Sequence, residues 1–221
     1  VASVQIEYFL DTMSSWCLIA EPAIDQLRAE FGESIELNWK IVQLNEGAPF
    51  EDSPEKFSWF YGRTKAVTGV QLNPAWHKSM LDSSVFPNLA AEAARSLGVT
   101  DDRVRRALSR AAMNDGKHVP ARDVALEIAA HAGALDKEKL RAAMDAHETL
   151  AKIMTNTIEL RKLPVRVIPA FVIKNTVGDI AILSGFHHYE TLAAVVREAL
   201  HASIRYAEYM AREPEPTAPA R

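Results

Sequence analysis

The order in which hydrophobic periodicities follow one another constrains this chain more than any other feature. Ser3–Leu10 sets Val4, Ile6, Tyr8 and Leu10 against Ser3, Gln5 and Glu7, with Phe9 also apolar, which predicts a strand. Asp11–Ser15 is a turn rich in hydroxyls suited to an N-cap, and Trp16 to about Phe31 then predicts a helix. Gly32 closes that helix, and Pro22 inside it predicts a kink. Ile35–Val42 alternates again as a second strand, so the chain opens β–α–β, the pattern of parallel strands joined by a right-handed crossover.

From Ser53 to Leu163 no strand pattern recurs. Helices are predicted over Pro87–Leu97 (stopped by Gly98), from the Thr100-Asp101-Asp102 cap to Met113, over Pro120–Ala132 (ending at Gly133), from Asp136 past Ala143, and on to Leu163. Strand character returns at Pro169–Ile173 and Asp179–Leu183, a hairpin about a turn at Lys174–Thr176. His187–Met210 closes the order as a helix with Leu192, Val195, Val196, Ala199 and Leu200 on one face. The class is α/β, with 1–52 and 164–212 forming a sheet domain, 53–163 an all-helical insertion, and the proline-rich 213–221 a disordered tail.

Composition excludes several functions. The 25 Lys+Arg and 29 Asp+Glu leave a net charge of -4, which offers no basic footprint for nucleic acid and no polybasic membrane patch. One cysteine rules out an internal disulfide and a cysteine-based metal site, and the histidines show no ligand spacing, so no metal is expected. VASVQIEYFLD lacks the basic and long apolar regions of a signal peptide, and no apolar run nears the roughly 20 residues of a membrane span, so a cytoplasmic location is expected.

Asp11-Thr12-Met13-Ser14-Ser15-Trp16-Cys17 is the most informative segment. It puts Ser14 at the mouth of a helix and Cys17 one turn deeper, where unpaired N–H groups and the helix dipole stabilise a thiolate. That thiolate is either Cys17's own or that of a bound thiol accepting a hydrogen bond from Ser14. The plainer alternative makes Ser14 an N-cap and Cys17 a small buried hydrophobe.

Taken together, these features resemble the thioredoxin fold, β-α-β … β-β-α with a large helical insertion, and within it the DsbA-like branch. That branch holds FrnE-like oxidoreductases, kappa-class glutathione transferases and 2-hydroxychromene-2-carboxylate isomerases. Ser14-Ser15-Trp16-Cys17 stands in the C-x-x-C slot, with Trp before the second position as in FrnE-like members and Ser first as in the transferases and isomerases. Pro22 matches the kink proline, and Val167-Ile168-Pro169-Ala170-Phe171-Val172 looks like the V-P-x-F segment whose proline is cis. The resemblance spans Val4 to Leu200.

It implies a thiol ligand, glutathione, held by Ser14 and the helix dipole, with Ser15 and Trp16 completing the turn. Ile168 before Pro169 would pair with the ligand's peptide backbone, and Asn45 would border it in the loop after the second strand. Reaction at a small organic electrophile, by isomerisation or conjugation, follows from that ligand. Two positions depart from the pattern: Ser15 replaces a proline, and Ser184-Gly185-Phe186-His187-His188 lacks the acid that grips glutathione's γ-glutamyl end. His187 and His188 either bind a carboxylate or sit on the surface. Trp59, Phe60, Tyr61, Trp76 and His77 either line an apolar pocket or simply pack the insertion. Two rival functions stand beside this one. The first is a DsbA-like thiol-disulfide oxidoreductase in which Ser14, natural or introduced, occupies the nucleophile's slot; the second is a binding module without catalysis. The final helix and the resemblance imply a homodimer.

Overall fold

A strand covered on both faces must be apolar on both, and β1 (Val4–Leu10) becomes so only toward its C-terminal end. The computed structural model describes residues 3–49, 54–76 and 82–212, and in it Gln5 is exposed and Glu7 half-buried, whereas Tyr8, Phe9 and Leu10 are buried. β1 is an inner strand of a four-stranded sheet of order β2–β1–β3–β4, with β2 at Ile35–Ile41, β3 at Ala170–Asn175 and β4 at Ile180–Ser184. β2 runs parallel to β1, β3 antiparallel to it, and β3 and β4 form the hairpin. The turn leaving β1 therefore emerges from the interior of the sheet rather than from its edge.

Alternation assigns the faces. Tyr8 stacks on its cross-strand neighbour Phe171, ring centroids 5.0 Å apart and planes 9° from parallel. Its hydroxyl reaches the Cys17 carbonyl (3.2 Å) and Glu21 Oε1 (3.3 Å), so α1 (Ser15–Phe31) covers this side. Glu7 points the other way, accepting from Lys40 at 2.8 Å and Lys174 at 2.9 Å. Lys40 also donates to Glu159 of the insertion at 2.7 Å. Burial alone would raise the Glu7 carboxyl, but the two lysines outweigh it and hold the group below the usual range. The last helix, α8 (Tyr189–Arg212), packs on α1, β1 and β3 through Leu192, Ala193 and Val196.

The insertion between β2 and β3 comprises α2 (Pro54–Thr68), α3 (Val85–Ser96), α4 (Arg103–Met113), α5 (Arg122–Gly133), α6 (Lys137–Asp145) and α7 (His147–Arg161). No helix among the described residues is long and apolar enough to cross a membrane. Three details differ from the sequence expectation. The aromatic stretch around Trp59 is helical, as α2, although its polar and apolar residues show no helical period. α3 starts two residues before Pro87, since a proline in the first turn lacks only an N–H that has no helical partner there. The hairpin turn lies further on: Asn175 Oδ1 accepts from the N–H groups of Val177, Gly178 and Asp179 at 2.9–3.0 Å, with Gly178 at φ 102°.

α5 carries a capping residue that glycine would fill better. Gly133 is helical, and a Cβ there would meet Leu135 at 3.0 Å, so its smallness serves close packing. The left-handed residue is Ala134, at φ 52° and ψ 43°. Ala134→Gly is expected to raise the urea midpoint, by roughly 1 kcal/mol of stability, because alanine is strained in that conformation. An unchanged or lower midpoint contradicts that account of the cap.

One buried ionic cluster ties α1 to α4. Arg105, only 2% exposed, binds Glu21 through Nη1 at 2.5 Å and Asp102 through Nη2 at 2.7 Å. Arg106 Nε lies 2.6 Å from Glu21, and Arg28 pairs with Asp102. Burial opposes charge on Asp102, but the three arginines win and keep its carboxyl below the usual range.

Candidate active site

The end of β1 holds a buried acid. Asp11 is 0% exposed, and its carboxylate accepts from Met13 N at 2.8 Å, Leu44 N at 3.2 Å, Ser84 Oγ at 2.7 Å and Asn88 Nδ2 at 2.8 Å. Burial nevertheless raises its pKa, these four bonds opposing the shift. Thr12 donates to Asn88 Oδ1 from its N–H (3.1 Å) and its hydroxyl (2.7 Å), and Ser109 Oγ donates to the Thr12 carbonyl at 2.8 Å. The turn after β1 is thus gripped by α3 and α4 of the insertion.

That grip presents the N-terminus of α1. Ser14 is its N-cap, with Oγ accepting from Cys17 N at 3.4 Å. A hydroxyl accepts and donates at once, so the cap does not consume the Ser14 proton, which reaches the Cys17 sulfur. Cys17 sits in the third helical position, 3% exposed, and burial pushes its thiol up to about 12 against hydrogen bonds from Ser14 and the Asp11 backbone. The helix dipole does not overcome that desolvation, so Cys17 is a thiol at neutral pH. An aromatic disulfide reagent is expected to leave it untouched in the folded protein and to titrate one thiol after denaturation. Fast reaction of the native protein contradicts this placement.

Ser14 opens onto a cavity of about 790 Å³ between sheet and insertion. Its floor is Met13, Ser14, Ser15 and Trp16; Trp59, Arg63, Val67 and Trp76 line the insertion side; Arg166, Val167, Ile168, Ser184, Gly185, Phe186 and His188 line the sheet side. The Arg63 guanidinium lies 4.6 Å from the Trp16 ring and 5.0 Å from the Trp59 ring. Trp16 also meets Phe186 at 5.9 Å, and Phe186 meets His188 edge-on at 4.9 Å. The Ile168–Pro169 bond is cis. Ser184 Oγ braces the segment before it, donating to the Val167 carbonyl (3.1 Å) and accepting from Arg166 N (3.3 Å). Gly185 N donates to the Pro169 carbonyl at 2.8 Å.

Of the residues singled out in the sequence, Ser14, Ser15, Trp16, Ile168 and His188 line this cavity, as do Trp59 and Trp76. Pro169 follows the cis bond, and Cys17 is buried behind the wall. Two do not reach it. Asn45 is an exposed left-handed turn residue at φ 47°, donating to the carbonyls of Ala48 (3.2 Å) and Pro49 (2.7 Å). His187 is not among the lining residues, and its Nε2 is buried without a hydrogen-bond partner among the described residues. Tyr61 supports Trp76 edge-on at 5.8 Å. His77, the side chain of Phe60 and the tail 213–221 lie outside the described residues. Sequence reasoning missed Arg63, Arg166 and the Asp11 partners Ser84 and Asn88. Only Asp11 carried a signal, as an acid ending an apolar strand. No group able to hold a metal ion occurs among the described residues.

Comparison with known proteins agrees with this architecture. The model of the DSBA-like thioredoxin domain matches residues 5–197. No curated protein matches the chain. Among solved structures, a protein described as a probable DsbA oxidoreductase from Streptomyces coelicolor is 17% identical at a TM-score of 0.71, covering 98% of this chain and 94% of its own. The cytosolic disulfide reductase DsbM from Pseudomonas aeruginosa, solved with GSH, is 17% identical at 0.66, covering 94% and 99%. A thioredoxin-like oxidoreductase from Silicibacter pomeroyi DSS-3 is 20% identical at 0.55, covering 94% and 87%. At these identities the structures speak to the fold, whereas the family model spans nearly the whole chain. The chain belongs to the DSBA-like thioredoxin domain family.

Proposed function

We propose that this protein is a glutathione-dependent isomerase or transferase acting on a small organic electrophile, with the reactive sulfur brought by the ligand. The observation that carries this reading is the exchange of roles at the helix N-terminus. The slot that lines the cavity holds Ser14, a hydroxyl too weakly acidic for disulfide attack, while Cys17, the one sulfur nearby, lies behind the lining with its thiol pushed up to about 12. Classical two-cysteine exchange is therefore closed to this chain.

Its residues fit a bound thiol. The Ser14 hydroxyl can turn its proton from the neutral Cys17 thiol to a ligand thiolate, the stronger acceptor, beside the N–H groups of the first turn of α1. The Ile168 backbone makes no hydrogen bond within the described residues, which leaves its N–H and C=O to take an extended peptide as an added strand. DsbM of the same fold is a structure with GSH. The bound thiolate supplies a nucleophile that adds to a conjugated carbon; elimination after bond rotation gives isomerisation, and protonation of the adjacent carbon gives a stable thioether. Trp59, Val67 and Trp76 provide the apolar wall for that second reactant. A cytoplasmic setting, where glutathione is kept reduced, suits this chemistry.

Glutathione titrated into the protein and followed by thiolate absorbance tests the reading. Wild type and Cys17→Ala are expected to saturate alike, with Ser14→Ala weakened by about tenfold or more, the worth of one hydrogen bond to a charged group. Absence of saturable binding to the wild type, or loss of binding in Cys17→Ala with Ser14→Ala unaffected, overturns it.

A further inference from the structure

The charges around the cavity carry more than the presence of a thiol. Its lining contains two guanidinium groups, Arg63 from α2 and Arg166 from the segment before the cis bond, and no aspartate or glutamate among the described residues. Neither arginine side chain makes an ion pair among the described residues, although many other arginines and lysines of this chain do, so these two charges are unspent. Arg63 is also anchored by cation–π contact with two rings, those of Trp16 and Trp59. These contacts consume no ion pair, and a guanidinium carries an N–H fork able to meet a carboxylate in two parallel hydrogen bonds. Asp11, the acid behind the floor, is 0% exposed and engaged by four donors, so it offers nothing to a ligand cation.

We infer that the cavity selects its thiol ligand by carboxylates, one reached by Arg63 from the insertion and one by Arg166 from the sheet, and does not read the ligand's amine. An ammonium group is repaid for its lost hydration by an acidic partner or a spare carbonyl inside the pocket; these walls supply guanidinium instead of an acid, and the Ile168 carbonyl is taken by the ligand's peptide. The ligand class is an anionic thiol with carboxylates on both sides of the sulfur-bearing residue, its amine free, blocked or missing. This rests on the thiol-dependent reading above and narrows it to a recognition rule.

A binding series separates the two. Glutathione, glutathione acetylated at its amine, and glutathione esterified at both carboxylates are titrated into wild type, Arg63→Gln and Arg166→Gln, each by thiolate absorbance and by quenching of the cavity tryptophans. Both arginine side chains are exposed, so folding of the variants is expected to be intact, and their circular dichroism verifies it. Acetylation is expected to change affinity by less than roughly threefold, while esterification and each arginine variant weaken it by about tenfold or more, the scale of a charge-assisted pair. Strong loss on acetylation, or a diester that binds as tightly as glutathione, overturns the recognition rule and leaves the thiol reading standing. No binding by any of the three thiols overturns both.

Discussion

Arg105→Met is expected to destabilise the protein by about 3–5 kcal/mol, the cost of breaking a buried ion pair from one side. Methionine keeps much of the apolar stem but strips the guanidinium from Glu21 and Asp102, both nearly buried. Burial works against charge on Arg105, yet Glu21 and Asp102 outweigh it, and the guanidinium stays protonated at every accessible pH. The loss thus comes from the acids left behind. The second variant Glu21→Gln removes one of them, so the double-mutant cycle is expected to show a coupling of about 1–3 kcal/mol, as for residues in one network. Additivity of the two single effects contradicts this reading of the cluster. A pH dependence follows with a definite sign. Asp102 is held below the usual range when folded, so its contribution is complete above the unfolded pKa of about 3.9 and fades as pH falls through the lower folded value. Arg105→Met is expected to shrink that acid-dependent loss, which urea midpoints measured from neutral pH downward would show.

Asp11→Ala should come next in size, at about 3 kcal/mol, the summed scale of its orphaned donors. Four donors lose an acceptor, but they do not lose equally. Asn88 Nδ2 retains the Val42 carbonyl at 3.3 Å and Gln43 Oε1 at 3.4 Å, whereas the Ser84 hydroxyl still accepts from Gln43 Nε2 at 2.7 Å but must turn its own proton elsewhere. The N–H groups of Met13 and Leu44 are left without another partner, at roughly 1–3 kcal/mol each. Burial has raised the Asp11 pKa, so its charge is itself a cost at neutral pH, and removing it returns part of that loss. Because Met13 and Leu44 both line the cavity, the same variant is expected to weaken glutathione binding. A stability change under about 1 kcal/mol would mean that the two orphaned N–H groups find other partners and that Asp11 does not hold the turn.

Much of this was legible in the sequence because it rests on local periodicity. The alternation of Val4, Ile6 and Tyr8, the cap at Ser14 and the return of strand residues at Phe171 and Ile182 are each readable within a few residues. Those features specify the order of elements, and the order specifies the fold. The cavity is different. Arg63 and Arg166 look like any surface arginine in one dimension, and only tertiary placement turns them toward Ser14. Asn88 and Ser84 read as helix-start residues; their task at Asp11 is set by a contact across more than seventy positions. α2 lies in the stretch read as all helical but receives no helix of its own in the sequence, because its aromatic and charged residues do not segregate into a stripe.

The central claim is that the working thiol belongs to a ligand and is activated by Ser14. A pH titration of the thiolate absorbance of glutathione, bound at saturation to the Cys17→Ala variant, tests it most directly, since that variant contains no protein sulfhydryl. The bound thiol is expected to titrate below free glutathione and to return toward the free value when Ser14 is also changed to alanine. A bound thiol that titrates as it does in free solution, with Ser14 present, contradicts it.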